Sequence, residues 1–180
     1  MVIHNTPLRN ILIGDDDITT NEKLVKDFQI THIISLLSPK SPIIHPNVKY
    51  YRLEIKDSES VPICKSFRSI YNWMEQERKT STKPRFLIHC AYGRSRSASL
   101  VLYLMMKETF MSYEIAFTIL QHFKHDIRPN KGFVMQLRTF GNSFGNRQDW
   151  FLLKEWNPPH KKTIEWILSR RFSLFDMLPS

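Results

Sequence analysis

Residues 90–97 bring a cysteine, a glycine, an arginine and a serine together at short offsets, in the order Cys90-Ala91-Tyr92-Gly93-Arg94-Ser95-Arg96-Ser97. An apolar run, Phe86-Leu87-Ile88, precedes them, and a longer one, Leu100 to Met106, follows. The first predicts a short buried strand over Arg85–His89 and the second a helix. A loop between a strand end and a helix start gathers unpaired amides and the positive end of the helix dipole, both of which attract negative charge. Those amides, the Arg96 guanidinium and the Ser97 hydroxyl all favour a thiolate at Cys90 over a thiol, so Cys90 is predicted to be a nucleophile. The backbone from Ala91 to Arg96 would bind the three oxygens of a phosphoryl group. Gly93 allows the tight curl this needs, and Arg96 presents a planar fork to two of the oxygens. A buried structural cysteine is the plainer alternative, but it leaves Gly93, Arg96 and Ser97 at these offsets unexplained.

Written as His89-Cys90-x-x-Gly93-x-Ser95-Arg96-Ser97, the stretch resembles the signature loop of the cysteine-dependent protein tyrosine phosphatases, most of all their dual-specificity branch in its small atypical form. The resemblance implies hydrolysis of phosphotyrosine and phosphoserine or phosphothreonine through a phosphocysteine intermediate, with no metal or other cofactor. It runs in order from Ile3 to about Phe144. Ile30-Thr31-His32-Ile33-Ile34-Ser35-Leu36 resembles the family's second strand, and Arg128-Pro129-Asn130 before Gly132-Phe133 and Gln136-Leu137 resembles the start of its last helix.

A thiolate that attacks a phosphate ester needs a general acid to protonate the departing oxygen. Asp57 is the candidate, 33 residues before Cys90 on a loop that follows a predicted strand, where the family places its acid. Glu59, on the same loop, competes with it. Asp17 reads as a helix-start residue and Asp126 as a solvated helix end. Ser97 is expected to hydrogen-bond the sulfur and ease its departure in the second step. His89 reads either as a positioning residue donating a hydrogen bond near the loop or as a plain buried histidine.

The elements that would position these groups alternate. Ile11-Leu12-Ile13, Ile30–Leu37 and Val48–Ile55 read as strands. Thr19 and Glu22 have capping-box spacing ahead of a helix that carries Leu24, Val25 and Phe28. Ile63, Phe67, Ile70, Tyr71 and Met74 stripe a second helix, Ile115 to Phe123 another, and Phe133 to Phe140 a last one. This pattern predicts an α/β domain with a central, mostly parallel sheet of four or five strands flanked by helices on both faces, as in protein tyrosine phosphatases.

The 180-residue chain carries a formal charge of +9, which suits nucleic acid, an acidic membrane surface or anionic substrates alike. The part from Gln148 onward holds five Lys/Arg against four Asp/Glu, leaving 21 against 13 around the predicted phosphate site. Because the resemblance runs only to about Phe144, it implies a catalytic domain over residues 1–147, and 148–180 are read as a helical extension, packed on that domain or serving as a surface for dimerisation or an anionic membrane. No apolar run approaches membrane-spanning length, and the N-terminus carries no signal or transit pattern, so a cytoplasmic location, with the nucleus as a second possibility, is the expectation. Two cysteines, Cys64 and Cys90, fit a reducing compartment. Cys64 reads as a small core residue, with a disulfide to an oxidised Cys90 as the alternative. His122 and His125 have the spacing of half a metal site but no second pair, and read as solvated helix residues.

Phosphoproteins are the expected substrates. Tyr92 and Arg94 should face the substrate, and Arg94 suits a second phosphate or acidic neighbours. A run like Gly93-Arg94-Ser95-Arg96-Ser97 also resembles that of a mitochondrial lipid phosphatase, and basic residues in this loop mark phosphoinositide phosphatases. Ala91 stands where those enzymes usually have lysine. RNA 5′-phosphatases of the superfamily usually have Asn-Arg-Thr where this chain has Ser95-Arg96-Ser97, which makes a nucleic-acid substrate the third reading. An inactive phospho-binding module would be signalled by loss of the nucleophile, the arginine or the acid, and all three are present.

Overall fold

In a computed structural model that describes residues 3–37, 45, 47–145 and 158–165, five strands form one sheet in the order β1-β2-β5-β3-β4. They are β1 (His4–Asn5), β2 (Ile11–Gly14), β3 (His32–Ser35), β4 (Lys49–Arg52) and β5 (Phe86–His89). Only β1, at the edge beside β2, runs antiparallel. The remaining pairs are parallel, in agreement with the expected sheet.

Parallel central strands are covered on both faces, so they must be apolar on both. Every residue of β2, β3 and β5 is buried. Register sorts their side chains into rows. Ile13, Ile88 and Ile34 lie side by side, as do Leu12, Leu87 and Ile33. The first row belongs to the large core shared with the helices α2 (Ile63–Thr80), α3 (Arg96–Thr109), α4 (Tyr113–Phe123) and α5 (Lys131–Asn142). The second packs on Ile18, Val25 and Ile30, from a 3₁₀ turn over Asp16–Thr20 and the short helix α1 (Glu22–Asp27). The capping-box expectation is corrected here. Asn21 caps α1, its Oδ1 accepting from the Leu24 amide at 3.1 Å, whereas Thr19 lies inside the 3₁₀ turn and donates its hydroxyl to the Asp16 carbonyl.

Both long strand predictions also shorten, β3 to His32–Ser35 and β4 to Lys49–Arg52. Beyond them, the Leu36 and Leu53 amides still bond the His89 and Ser35 carbonyls, which carries the chain straight into the loops at the carboxyl ends of the strands. Ligand sites of open parallel sheets lie at that end.

Trp150, Trp156, Trp166, Phe172 and Phe175 of the expected extension lie outside the described residues. Within it, residues 161–165 are helical, Pro158 is buried, and Ile164 is 2% exposed in the main core. No helix among the described residues is long and apolar enough to cross a membrane.

Candidate active site

Four strands end on the same spot. Cys90 follows β5 and is 2% exposed, and the chain curls through residues 91–95 into α3, whose first residue is Arg96. Gly93 makes the curl, with φ +65°, and a Cβ there would stand 2.7 Å from the Gly14 carbonyl oxygen at the end of β2. Any side chain would be both strained and blocked. The Arg96 guanidinium is moored from the other side, Nη1 donating to the Ile55 carbonyl at 3.2 Å and the Leu36 carbonyl at 3.4 Å. These carbonyls come just after β4 and β3. Arg96 Nε is buried with no hydrogen-bond partner, a donor positioned for an anion.

The predicted nucleophile and its helper are in contact, with Cys90 Sγ 3.2 Å from Ser97 Oγ. Asp57 arrives from the opposite rim. Its Oδ1 accepts from the Ser95 hydroxyl at 2.7 Å and from Asn130 Nδ2 at 2.8 Å, and its Oδ2 lies 3.7 Å from Arg96 Nε. Asn130 also caps α5, its Oδ1 accepting from the Phe133 amide at 2.9 Å, while its own amide donates to Ser95 Oγ at 3.2 Å. One residue thus ties the last helix, the acid loop and the phosphate loop together. Glu59 contributes backbone to this arrangement: a Cβ on Gly132 of α5 would sit 2.0 Å from the Glu59 carbonyl oxygen.

The Ser95 hydroxyl is engaged with Asp57 and Asn130, and its backbone amide remains the group expected to bind a phosphoryl oxygen. Asp126, in the turn after α4 and still 37% exposed, is paired: it is bonded by Arg94 Nε at 2.9 Å and by the ammonium of Lys124, whose side chain is almost wholly buried. Arg94, Tyr92 and Ala91 line a cleft of about 340 Å³ together with His4, Asp15, Asp17, Lys124 and Asp126. Tyr92 is 76% exposed at its mouth. His89 is 2% exposed, and burial, then Arg52 and Arg96, push its pKa down to about 4. Its Nδ1 makes no hydrogen bond and lies 3.5 Å from Asp16 Oδ1. Cys64 sits half-buried on α2 with its sulfur 3.8 Å from the Gln136 carbonyl oxygen, and burial raises its pKa. No group of three or more His, Cys, Asp or Glu among the described residues is placed to hold a metal ion.

The sequence reading places Asn130 at the start of the last helix but misses its bond to Asp57, as it misses Lys124 and the Asp126 pairing. An asparagine ahead of Gly132-Phe133 carries a helix-cap signal, whereas its bond to Asp57, 73 residues away, leaves no local trace.

The family model for the dual specificity phosphatase catalytic domain matches residues 12–143. The chain belongs to that family. As a dual specificity phosphatase domain it is 32% identical over 130 residues to a probable rhodanese domain-containing dual specificity protein phosphatase of Dictyostelium discoideum, covering 72% of this chain and 27% of the relative. It is 26% identical over 135 residues to dual specificity protein phosphatase 1B of Arabidopsis thaliana, covering 75% and 80%. Across four relatives from Dictyostelium and mouse, the chain spans 20% to 56% of their length. Among solved structures, the fold resembles the crystal structure of DUSP15 with a TM-score of 0.71, 24% identity and coverage of 94% and 97%. It also resembles the human tyrosine phosphatase-like serine/threonine/tyrosine-interacting protein, with a TM-score of 0.69, 26% identity and coverage of 79% and 97%.

Proposed function

We propose that this dual specificity phosphatase domain is an active protein phosphatase that hydrolyses phosphotyrosine and phosphoserine or phosphothreonine through a phosphocysteine. The observation that carries the reading is the convergence of Cys90, Ser97, Arg96 and Asp57 on one loop, with Cys90 Sγ 3.2 Å from Ser97 Oγ and Asp57 Oδ2 3.7 Å from Arg96 Nε. In the first step the Cys90 thiolate forms a bond to phosphorus as the ester P–O bond breaks, and Asp57 gives its proton to the departing oxygen. Arg96 and the amides of residues 91–96 stabilise charge on the equatorial oxygens. In the second step water attacks phosphorus, Asp57 takes its proton, and the P–S bond breaks. The Ser97 hydroxyl hydrogen-bonds the returning thiolate, and phosphate departs. No metal or cofactor enters either step.

Two observations support proteins over lipids as substrates: Ala91 replaces the lysine usual in phosphoinositide phosphatases, and Arg94 is tied to Asp126. The test is phosphate release by wild type and Cys90→Ser from phosphotyrosine peptides, phosphothreonine peptides, phosphoinositides and 5′-triphosphorylated RNA. Turnover of both peptide classes, lost in Cys90→Ser, is the expected result. Preference for lipid or RNA would reassign the substrate, and a folded, reduced protein without turnover would overturn the enzyme reading in favour of a phosphate-binding module.

A further inference from the structure

The cleft beside the phosphate loop contains charged groups that neither chemical step uses. Lys124 reaches into it with a side chain only 6% exposed, and its Cε passes 3.3 Å from the place a Gly93 Cβ would take, so its stem runs against the bend of the loop. A buried ammonium requires a counter-ion. Asp126 supplies it with Oδ1, and with Oδ2 it takes Arg94 Nε at 2.9 Å. Both carboxylate oxygens therefore occupy cationic donors at the rim. The Arg94 carbonyl accepts from the Arg128 amide at 2.8 Å, which pins the loop residue to the same connection that carries Asp126.

A carboxylate gripped by a guanidinium and an ammonium is the arrangement that would hold a second phosphate. We propose that Asp126 is a specificity-determining residue: it fills an anion subsite made by Arg94 and Lys124 and so turns away peptides that carry a further phosphate or carboxylate beside the scissile phosphoresidue. The inference rests on the phosphatase reading above. The rest of the cleft acts in the same direction. Asp15 and Asp17 line its other wall, so two cations face three carboxylates, and burial followed by Lys124 lowers the pKa of His4, the remaining basic group. Burial by itself would push the Asp126 pKa up, but Lys124 and Arg94 outweigh it and hold the carboxyl below the usual range. An incoming anion meets like charge and cations already matched.

The experiment compares two phosphotyrosine peptides that differ only in flanking residues, one with neutral flanks and one with a second phosphate and glutamates. The quantity read is the ratio of kcat/KM, acidic over neutral, which cancels changes common to both peptides. In wild type the ratio is expected below one. In Asp126→Asn, which keeps the side chain's size but frees Arg94 and Lys124, it should rise on the order of tenfold, and Asp126→Asn/Arg94→Ala should lose most of that gain. The same ratio is read as peptide affinity in a Cys90→Ser background by fluorescence polarisation, so absent turnover would sink the enzyme reading without touching this one. A ratio unchanged by Asp126→Asn in both measurements overturns the proposal, as does a wild-type preference for the acidic peptide.

Discussion

The Ser95 hydroxyl donates to Asp57 Oδ1 at 2.7 Å, joining the phosphate loop to the acid loop across 38 residues of sequence. Asn130 holds the same oxygen at 2.8 Å. With Oδ1 fixed by two donors, Oδ2 is left facing the site to exchange a proton. Removing either donor should therefore impair leaving-group protonation first. Ser95→Ala and Asn130→Ala are each expected to lower kcat on phosphothreonine peptides by about tenfold, and Asp57→Asn by about 10²–10³. An aryl phosphate with a good leaving group, which needs little protonation, should be affected far less in all three. Equal losses on both substrates would show that these residues shape the loop and do not orient the acid. The double variant should fall short of the sum of the single effects, because both donors act on one oxygen.

Ser97 Oγ lies 3.2 Å from the Cys90 sulfur, the atom that leaves phosphorus in the second step, so its largest effect is expected there. In Ser97→Ala the thiolate leaves phosphorus without a hydrogen-bond donor. Hydrolysis of the phosphocysteine should become rate-limiting, with kcat down by about tenfold to a hundredfold and a burst of product equal to the enzyme concentration in rapid-mixing experiments. A kcat loss without a burst would place Ser97 in the first step.

The central sheet was legible because β2, β3 and β5 are buried on both faces, and burial on both faces writes a continuous apolar run such as Phe86-Leu87-Ile88. The loop was legible because Cys90, Gly93, Arg96 and Ser97 are close in sequence and their geometry is set by one strand end and one helix start. β1 went unread, since the two residues His4–Asn5 carry no periodicity and pair only through β2. The start of α1 was misplaced because Thr19 and Asn21 are both good caps, and the 3₁₀ turn absorbs the first. The pairing of Asp126 went unread because its partners Arg94 and Lys124 are brought together by tertiary packing, one of them 32 residues away.

Gly132 shows how tightly the acid loop is held. A Cβ there would lie 2.0 Å from the Glu59 carbonyl oxygen and 2.5 Å from its carbonyl carbon, against backbone that cannot rotate aside. Gly132→Ala must push α5 and the 57–60 segment apart, loosening the Asn130 contact to Asp57. The expected result is destabilisation of about 1–3 kcal/mol by urea denaturation, with kcat on phosphothreonine peptides reduced more than on the aryl phosphate. Unchanged stability and kinetics would mean that the loop yields freely and is not positioned by α5.

His89 makes stability depend on pH. In the unfolded chain an imidazole takes up its proton near pH 6.5, whereas burial, Arg52 and Arg96 keep His89 neutral in the fold down to about 4. Between those values the unfolded chain binds the extra proton, so stability is complete above about pH 6.5 and falls as the pH drops toward 4, by at most about 1.4 kcal/mol per unit for one such group. His32, whose pKa burial lowers despite its bond to Glu77, adds in the same direction. Urea denaturation at closely spaced values between pH 7 and 5 should show this slope, and in His89→Asn it should flatten by about one proton, leaving the shares of His32 and His4, whose pKa is likewise lowered. A slope unchanged by the substitution would mean that His89 is protonated inside the fold, with Asp16, 3.5 Å away, as the carboxylate that would hold that charge.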